Sequence, residues 1–168
     1  MVPSQLFDAG PNVLDKPFGG FRDRDHGLDR SVVNALYNLA DCFISLHRSE
    51  GFGLSLAESM YLGKPCIATA YSSNMDFMTP ANSYLVDYQL VTLERDYGPY
   101  QTGSVWADPD VRSAASLMRR VFENPEEAAQ KGKLAAADIR RFYSADSTGR
   151  EMIRRLELVT HAPRWSGR

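Results

Sequence analysis

The sequence predicts an α/β fold in which helices cover a parallel sheet on both faces, and three observations carry that prediction. Apolar residues recur at helical spacing through Val32, Val33, Leu36, Tyr37, Leu39 and Ala40 and run straight into a short apolar stretch, 42 to 46. A second helical stretch, Leu54 to Leu62, is followed at once by a second apolar stretch, 66 to 70. Neither stretch alternates with polar residues, which is the pattern of strands buried on both sides rather than strands with one wet face.

Each element has a local reason. Residues 1 to 27 hold four Gly and three Pro without periodicity, so they read as an irregular segment with one short strand around Gly20-Phe21. Asp29 or Ser31 can cap the first helix. The loop His47-Arg48-Ser49-Glu50-Gly51-Phe52-Gly53 separates the first strand from the second helix, which Gly63 and Pro65 stop. Weaker strands are expected at Tyr84-Leu85-Val86 and Leu90-Val91-Thr92-Leu93, and then comes a polar, aromatic stretch through Tyr97, Tyr100 and Trp106. Three helices complete the chain: one started by Asp108 with Pro109, a second from Asn124 with Pro125 to about Phe142, and a third from about Ser147 to Val159. The expected organisation is an irregular segment 1–27, a partial domain 28–160 and a tail 161–168.

A chain of 168 residues suits one domain of ordinary size. With 43% apolar and 24% charged residues and a formal net charge of −2, it reads as globular and lacks the basic excess that nucleic-acid binding draws on. Residues 112 to 168 hold ten Arg and two Lys against seven acids, which reads as a solvated helix face. Cys42 and Cys66 sit in the apolar stretches and read as reduced, buried thiols; with three scattered histidines they do not space themselves as a metal site. No metal and no cofactor is expected. The first residues lack the zones of a secretion signal, and no apolar run approaches the roughly 18 residues of a membrane span, so the expected compartment is the cytoplasm.

Ligands of a parallel sheet collect beyond the carboxyl ends of its strands, where the loop 47 to 53 falls. Gly51 and Gly53 let main chain approach a ligand, and the helix beginning near Leu54 offers unpaired amides to a phosphate. Gly-Phe-Gly alone equally describes an ordinary loop-to-helix turn, because it lacks the Lys of a Walker loop and the third Gly of a dinucleotide fingerprint. Glu58 falls one turn after Ser55 on the same face, with Leu54, Ala57 and Tyr61 on another. Two readings of Glu58 stand together: a carboxylate accepting two hydroxyls of a sugar diol, or a surface group paired with Lys64. Arg48 faces either phosphates or a neighbouring Glu in a solvated pair, His47 reads as structural, and the Ser- and Asn-rich loop 71 to 76 reads as a turn bordering the same cleft. For Tyr97, Tyr100 and Trp106, packing of the C-terminal helices on the sheet is preferred over a sugar-stacking surface.

The stretch from Ala40 to Met60, with Glu50 and Glu58 flanking Gly51-Phe52-Gly53-Leu54, followed by Gly63-Lys64-Pro65 and the apolar strand 66 to 69, resembles the nucleotide-sugar-binding half of the GT-B glycosyltransferases, especially the group-one or family-four retaining enzymes. The match covers best residues 30 to 87, with a helical tail to about 160. The resemblance implies a partial Rossmann-like sheet, the C-terminal half of the GT-B architecture, and transfer of a sugar from a nucleotide-sugar with retention and without a required metal. It also implies roles by position: Glu50 on the transferred sugar, Phe52, Gly53, Leu54 and Ser55 on the donor sugar and diphosphate, and Glu58 on the ribose.

A complete GT-B enzyme has two such domains, and 168 residues leave room for only part of one. The acceptor-binding domain and the first units of the donor domain are expected to be missing, since Lys16, Arg22 and Arg24 do not form the diphosphate-clamping motif. Activity then belongs to the parent architecture, and a missing N-terminal domain or a partner chain is implied. Strand 42 to 46 would keep an unpaired edge, so self-association, or a compensating arrangement of residues 1 to 27, is expected. The competing function is a non-catalytic nucleotide-binding or assembly module that needs a separate partner.

Overall fold

The computed structural model describes residues 30–160, and the fold is α/β. The segment 1–27, the strand expected at Gly20-Phe21 and the tail 161–168 lie outside the described residues. In chain order come helix α1 (Arg30–Leu39), strand β1 (Phe43–Ser45), helix α2 (Leu54–Tyr61), strand β2 (Cys66–Thr69), a 3₁₀ turn (Ser73–Asp76) and strand β3 (Tyr84–Val86). Strands β4 (Tyr88–Thr92) and β5 (Val105–Pro109) follow, and helices α3 (Val111–Glu123), α4 (Pro125–Phe142) and α5 (Ala145–Thr160) close the chain. The first three strands form one parallel sheet in the order β1-β2-β3, with Phe43 opposite Cys66 and Ile67 opposite Tyr84.

The central strand explains its own composition. Cys66, Ile67, Ala68 and Thr69 are all buried, because alternate side chains enter two different cores. Cys66 and Ala68 join Leu56, Met60, Phe77, Met78, Ala135 and Ile139 on the side of α2 and α4. Ile67 joins Tyr84, Val86 and Ala114 on the side of α3. Each large buried aliphatic side chain contributes about 1.5–3 kcal/mol, so α2 is held mainly by Leu56 and Met60. Among the described residues β1 pairs with β2 alone, leaving its other edge without a described strand.

Helix α4 reaches α2 through a close approach. A Cβ at Gly132 would stand 2.1 Å from the Gly63 carbonyl oxygen, so only glycine permits the contact. Arg140 donates to the Tyr61 carbonyl oxygen at 3.0 Å and ties the last turn of α4 to the end of α2.

The sequence expectation fails between residues 105 and 110. Asp108 and Pro109 do not start a helix but end strand β5, which pairs antiparallel with β4 from Thr92↔Val105 to Tyr88↔Pro109. The true N-cap is Asp110, whose carboxylate accepts from the amides of Arg112 at 2.8 Å and Ser113 at 3.3 Å. A second Asp two residues downstream offers the same cap, and cross-strand pairing decides which one serves. The aromatic residues also differ from expectation. Tyr97 and Tyr100 pack on Trp106, with ring centroids 5.2 and 5.8 Å apart, at the end of this ribbon rather than between the C-terminal helices and the sheet.

Candidate functional site

The site is built where β1 and β2 end side by side. Parallel pairing carries the loop 46–53 and the loop 70–74 out of the same end of the sheet, and hydrogen bonds then join them. His47 Nε2 lies 3.0 Å from the Tyr71 carbonyl oxygen and 3.1 Å from Asn74 Oδ1. Both partners are acceptors, since Asn74 spends its Nδ2 on the Thr69 carbonyl at 3.0 Å, so Nε2 carries a proton, and Nδ1 lies 3.3 Å from the Ser45 hydroxyl. His47 is therefore a pin between the two loops.

Glu50 is gripped from the second loop. Ser72 Oγ donates to the Glu50 carbonyl oxygen at 2.7 Å and accepts from the Glu50 amide at 3.4 Å, and Ser73 Oγ donates to the same carbonyl at 3.0 Å. The Glu50 carboxylate accepts from the Gly51 amide at 3.0 Å in an exposed bond, and the residue as a whole is half-buried. Ser72 adopts φ 79° and ψ −160°, backbone that belongs essentially to glycine and costs on the order of 1–3 kcal/mol. The sequence reading took this loop for a polar turn at the cleft, and no residue pattern signals that a serine there accepts such a backbone.

Gly53 makes the turn into α2. Its φ of 86° is left-handed, and a Cβ there would stand 3.3 Å from Phe77 Cζ. It serves as N-cap without any side-chain cap bond, and the first intrahelical bond runs from Ala57 N to the Gly53 carbonyl. The amides of Leu54, Ser55 and Leu56 therefore have no acceptor within the helix, and the positive end of its dipole faces outward beside Glu50's loop. The Phe52 ring packs toward Phe77 and Tyr143, at centroid distances of 5.5 and 6.4 Å, so its side chain closes the aromatic flank.

Glu58 lies about 6 Å further along α2, by the rise of the helix. Leu54, 46% exposed, and Ser55 share its outward side, whereas Leu56, Ala57, Ser59 and Met60 are buried. Leu54 thus belongs with Glu58, not with Ala57 as its spacing suggested, because α2 presses its Leu56–Met60 side onto β2 and α4. Five of the six sequence-predicted residues, Glu50, Phe52, Gly53, Leu54 and Ser55, fall in one continuous turn, and Glu58 stands one helical turn beyond it.

Arg48 is taken up elsewhere. Its guanidinium bonds Asp108 Oδ1 at 2.7 Å and lies 5.3 Å from the Trp106 ring centre, while its carbonyl accepts from the Ala107 amide at 3.0 Å. The expected partner was a neighbouring Glu; Asp108 wins because β5 delivers it beside the loop. Tyr71 meets Tyr88 at 5.2 Å, so the β4–β5 ribbon touches both loops of the site. Burial and the nearby Asp41 push the Cys42 thiol up to about 11, and burial pushes Cys66 higher still, leaving both as neutral packing groups. Among the described residues no three His, Cys, Asp or Glu side chains gather as metal ligands would, and no helix is long and apolar enough to cross a membrane.

The family model for glycosyl transferases group 1 matches residues 26–138, spanning both loops, α2 and the sheet. The chain belongs to this family. It is 33% identical over 120 residues to a protein provisionally named glycosyltransferase 48 of the Sulfolobus islandicus filamentous virus (isolate Iceland/Hveragerdi), a stretch covering 71% of this chain and 38% of that protein. Among solved structures it resembles the sucrose-phosphate synthase of Thermosynechococcus elongatus, with a TM-score of 0.61, 18% identity, and coverage of 81% of this chain and 29% of that one. It also resembles Anabaena Alr3699/HepE in complex with UDP, with a TM-score of 0.59, 17% identity, and coverage of 76% and 30%. The chain therefore spans well under half the length of these relatives, and the solved structures establish that the fold is that of the C-terminal half of GT-B glycosyltransferases.

Proposed function

We propose that this chain is the donor-side part of a retaining glycosyltransferase that takes its sugar from a nucleotide-sugar. The single observation that carries the proposal is the turn 50–55: Glu50, whose main chain the neighbouring loop holds, stands just ahead of a helix N-terminus that no side chain caps. A similar solved structure holds UDP, which supports a nucleotide as the ligand class.

In this reading Glu58 accepts the two ribose hydroxyls, and the amides of Gly53, Leu54 and Ser55 face the diphosphate. Phe52 contributes its main chain and braces the turn with its ring. Glu50 contacts the transferred sugar. The bond between the anomeric carbon and the diphosphate oxygen breaks, and the diphosphate leaves with the electron pair. The acceptor hydroxyl attacks the same face and gives its proton to the departing diphosphate oxygen. Preorganised amides favour this step because the charge they meet grows as the bond breaks. No metal or cofactor is needed for this chemistry. The acceptor-binding half, and the strands that would continue the sheet past β1, come from polypeptide outside the described residues; pairing of two copies along β1 is the other partner proposed.

Titration with UDP, GDP, ADP and their glucose conjugates tests the reading. Saturable binding of one diphosphate, tighter than the matching nucleoside, is expected, and absence of binding to all six contradicts it. Release of glucose from the bound donor then separates an enzyme from a binding module.

A further inference from the structure

We propose that Ser72 is a positioning residue for Glu50, holding a strained backbone so that one hydroxyl can grip both main-chain groups of residue 50. The inference rests on the reading of Glu50 as the sugar-contacting group. Glycine would adopt φ 79° and ψ −160° without a Cβ penalty, so for the turn alone serine is the worse choice. Nor does the hydroxyl serve the turn. Ser72 precedes the 3₁₀ turn Ser73–Asp76 at its N-cap position, where a serine side chain ordinarily bonds an amide of the first turn, and it makes no such bond. Its hydroxyl instead donates to the Glu50 carbonyl at 2.7 Å and accepts from the Glu50 amide at 3.4 Å.

The grip has a rigid base. Asn74, fully buried one residue past Ser73, bonds the Thr69 carbonyl and His47, so the loop is tied both to the end of β2 and to the loop that carries Glu50. Ser73 adds a second hydroxyl to the Glu50 carbonyl at 3.0 Å. Fixing the amide and the carbonyl of one residue fixes the direction of its Cα–Cβ bond, and hence where its carboxylate starts. Strain kept where a glycine would relax it, with the hydroxyl spent on one neighbour, is what ties Ser72 to the placement of Glu50.

The variants Ser72→Gly and Ser72→Ala separate the two effects. Glycine relaxes the backbone and loses the hydroxyl, whereas alanine keeps the strain and loses the hydroxyl. We expect the thermal midpoint of Ser72→Gly to match or exceed wild type and that of Ser72→Ala to fall below it. In both, hydrogen exchange at the Glu50 and Gly51 amides should accelerate, and the affinity for UDP-glucose should drop about fivefold more than that for UDP, the value of one neutral hydrogen bond. A purely structural Ser72 would move the midpoints and leave the UDP-glucose to UDP ratio unchanged, which overturns the positioning role. Unchanged exchange at residues 50 and 51 in both variants overturns the grip itself, and a Ser72→Gly midpoint below that of Ser72→Ala overturns the strain. If the wild-type chain binds neither probe, the functional reading fails, while exchange and melting still judge the grip.

Discussion

Gly132 and Gly63 meet backbone to backbone: a Cβ at position 132 would stand 2.1 Å from the Gly63 carbonyl oxygen and 3.0 Å from its carbon. Glycine inside a helix ordinarily costs about 0.5–1 kcal/mol relative to alanine, so Gly132→Ala would stabilise an isolated α4. Here the sign reverses. We predict a loss of at least about 2 kcal/mol, by comparison with overpacked cores, read as a lower urea midpoint. A midpoint equal to wild type would show that α4 does not seat on residue 63.

Gly53→Ala should be destabilising for a different reason. The residue holds φ 86°, where a side chain costs roughly 1–2 kcal/mol, and the new methyl would press on Phe77 at 3.3 Å. Because the same residue turns the chain into α2, diphosphate affinity should fall with stability, as calorimetry on the folded variant can record.

Replacing Asn74 strands two groups at once. The Thr69 carbonyl loses its donor, His47 loses one acceptor, and both lie in a half-buried or buried setting. Asn74→Ala should cost about 2–4 kcal/mol, the sum of two lost partners, in chemical denaturation. The ring proton offers a separate check: nitrogen NMR of wild type should show a His47 proton on Nε2, and an unprotonated Nε2 would contradict the pinning of the two loops.

Both thiols have folded pKa values raised above the ordinary thiol, Cys42 to about 11 and Cys66 beyond it, through burial first. The neutral form is the one the fold prefers. Their contribution is therefore fully present below the unfolded value of 9.0 and is lost as pH rises from there through about 11. Two consequences are expected: unfolding free energy that declines above pH 9, less steeply in Cys42→Ala, and iodoacetamide labelling at pH 8 that is slow in native protein and rapid in denaturant. Rapid labelling of both thiols in the native state would contradict their burial.

The parallel sheet was legible because burial on both faces leaves an unmistakable mark: Cys66 to Thr69 shows no alternation, and Gly63 with Pro65 punctuates the approach to it. The turn 50–55 was legible because glycines and a helix start need particular residue types in a particular order. The β5 strand was not. Val105 to Pro109 contains Asp108-Pro109, a strong helix-start signal, and only its pairing with Tyr88 to Thr92 overrides that signal. The roles of Ser72, Asn74 and Asp108 were equally hidden, since each is set by a partner 22 to 60 residues distant along the chain. Propensity speaks for neighbours; these contacts arise only once β1 and β2 lie side by side.

The central claim is that one face of α2, from its uncapped start to Glu58, receives a nucleoside diphosphate. Calorimetric titration of UDP into wild-type chain and into Glu58→Ala, with thermal midpoints measured on both, tests it most directly. Because a hydrogen bond to a charged group is worth about 1.5–3 kcal/mol, the account predicts measurable UDP binding by wild type and an affinity about 10- to 100-fold weaker in a Glu58→Ala chain that remains folded. Equal affinity in the two folded proteins would contradict it.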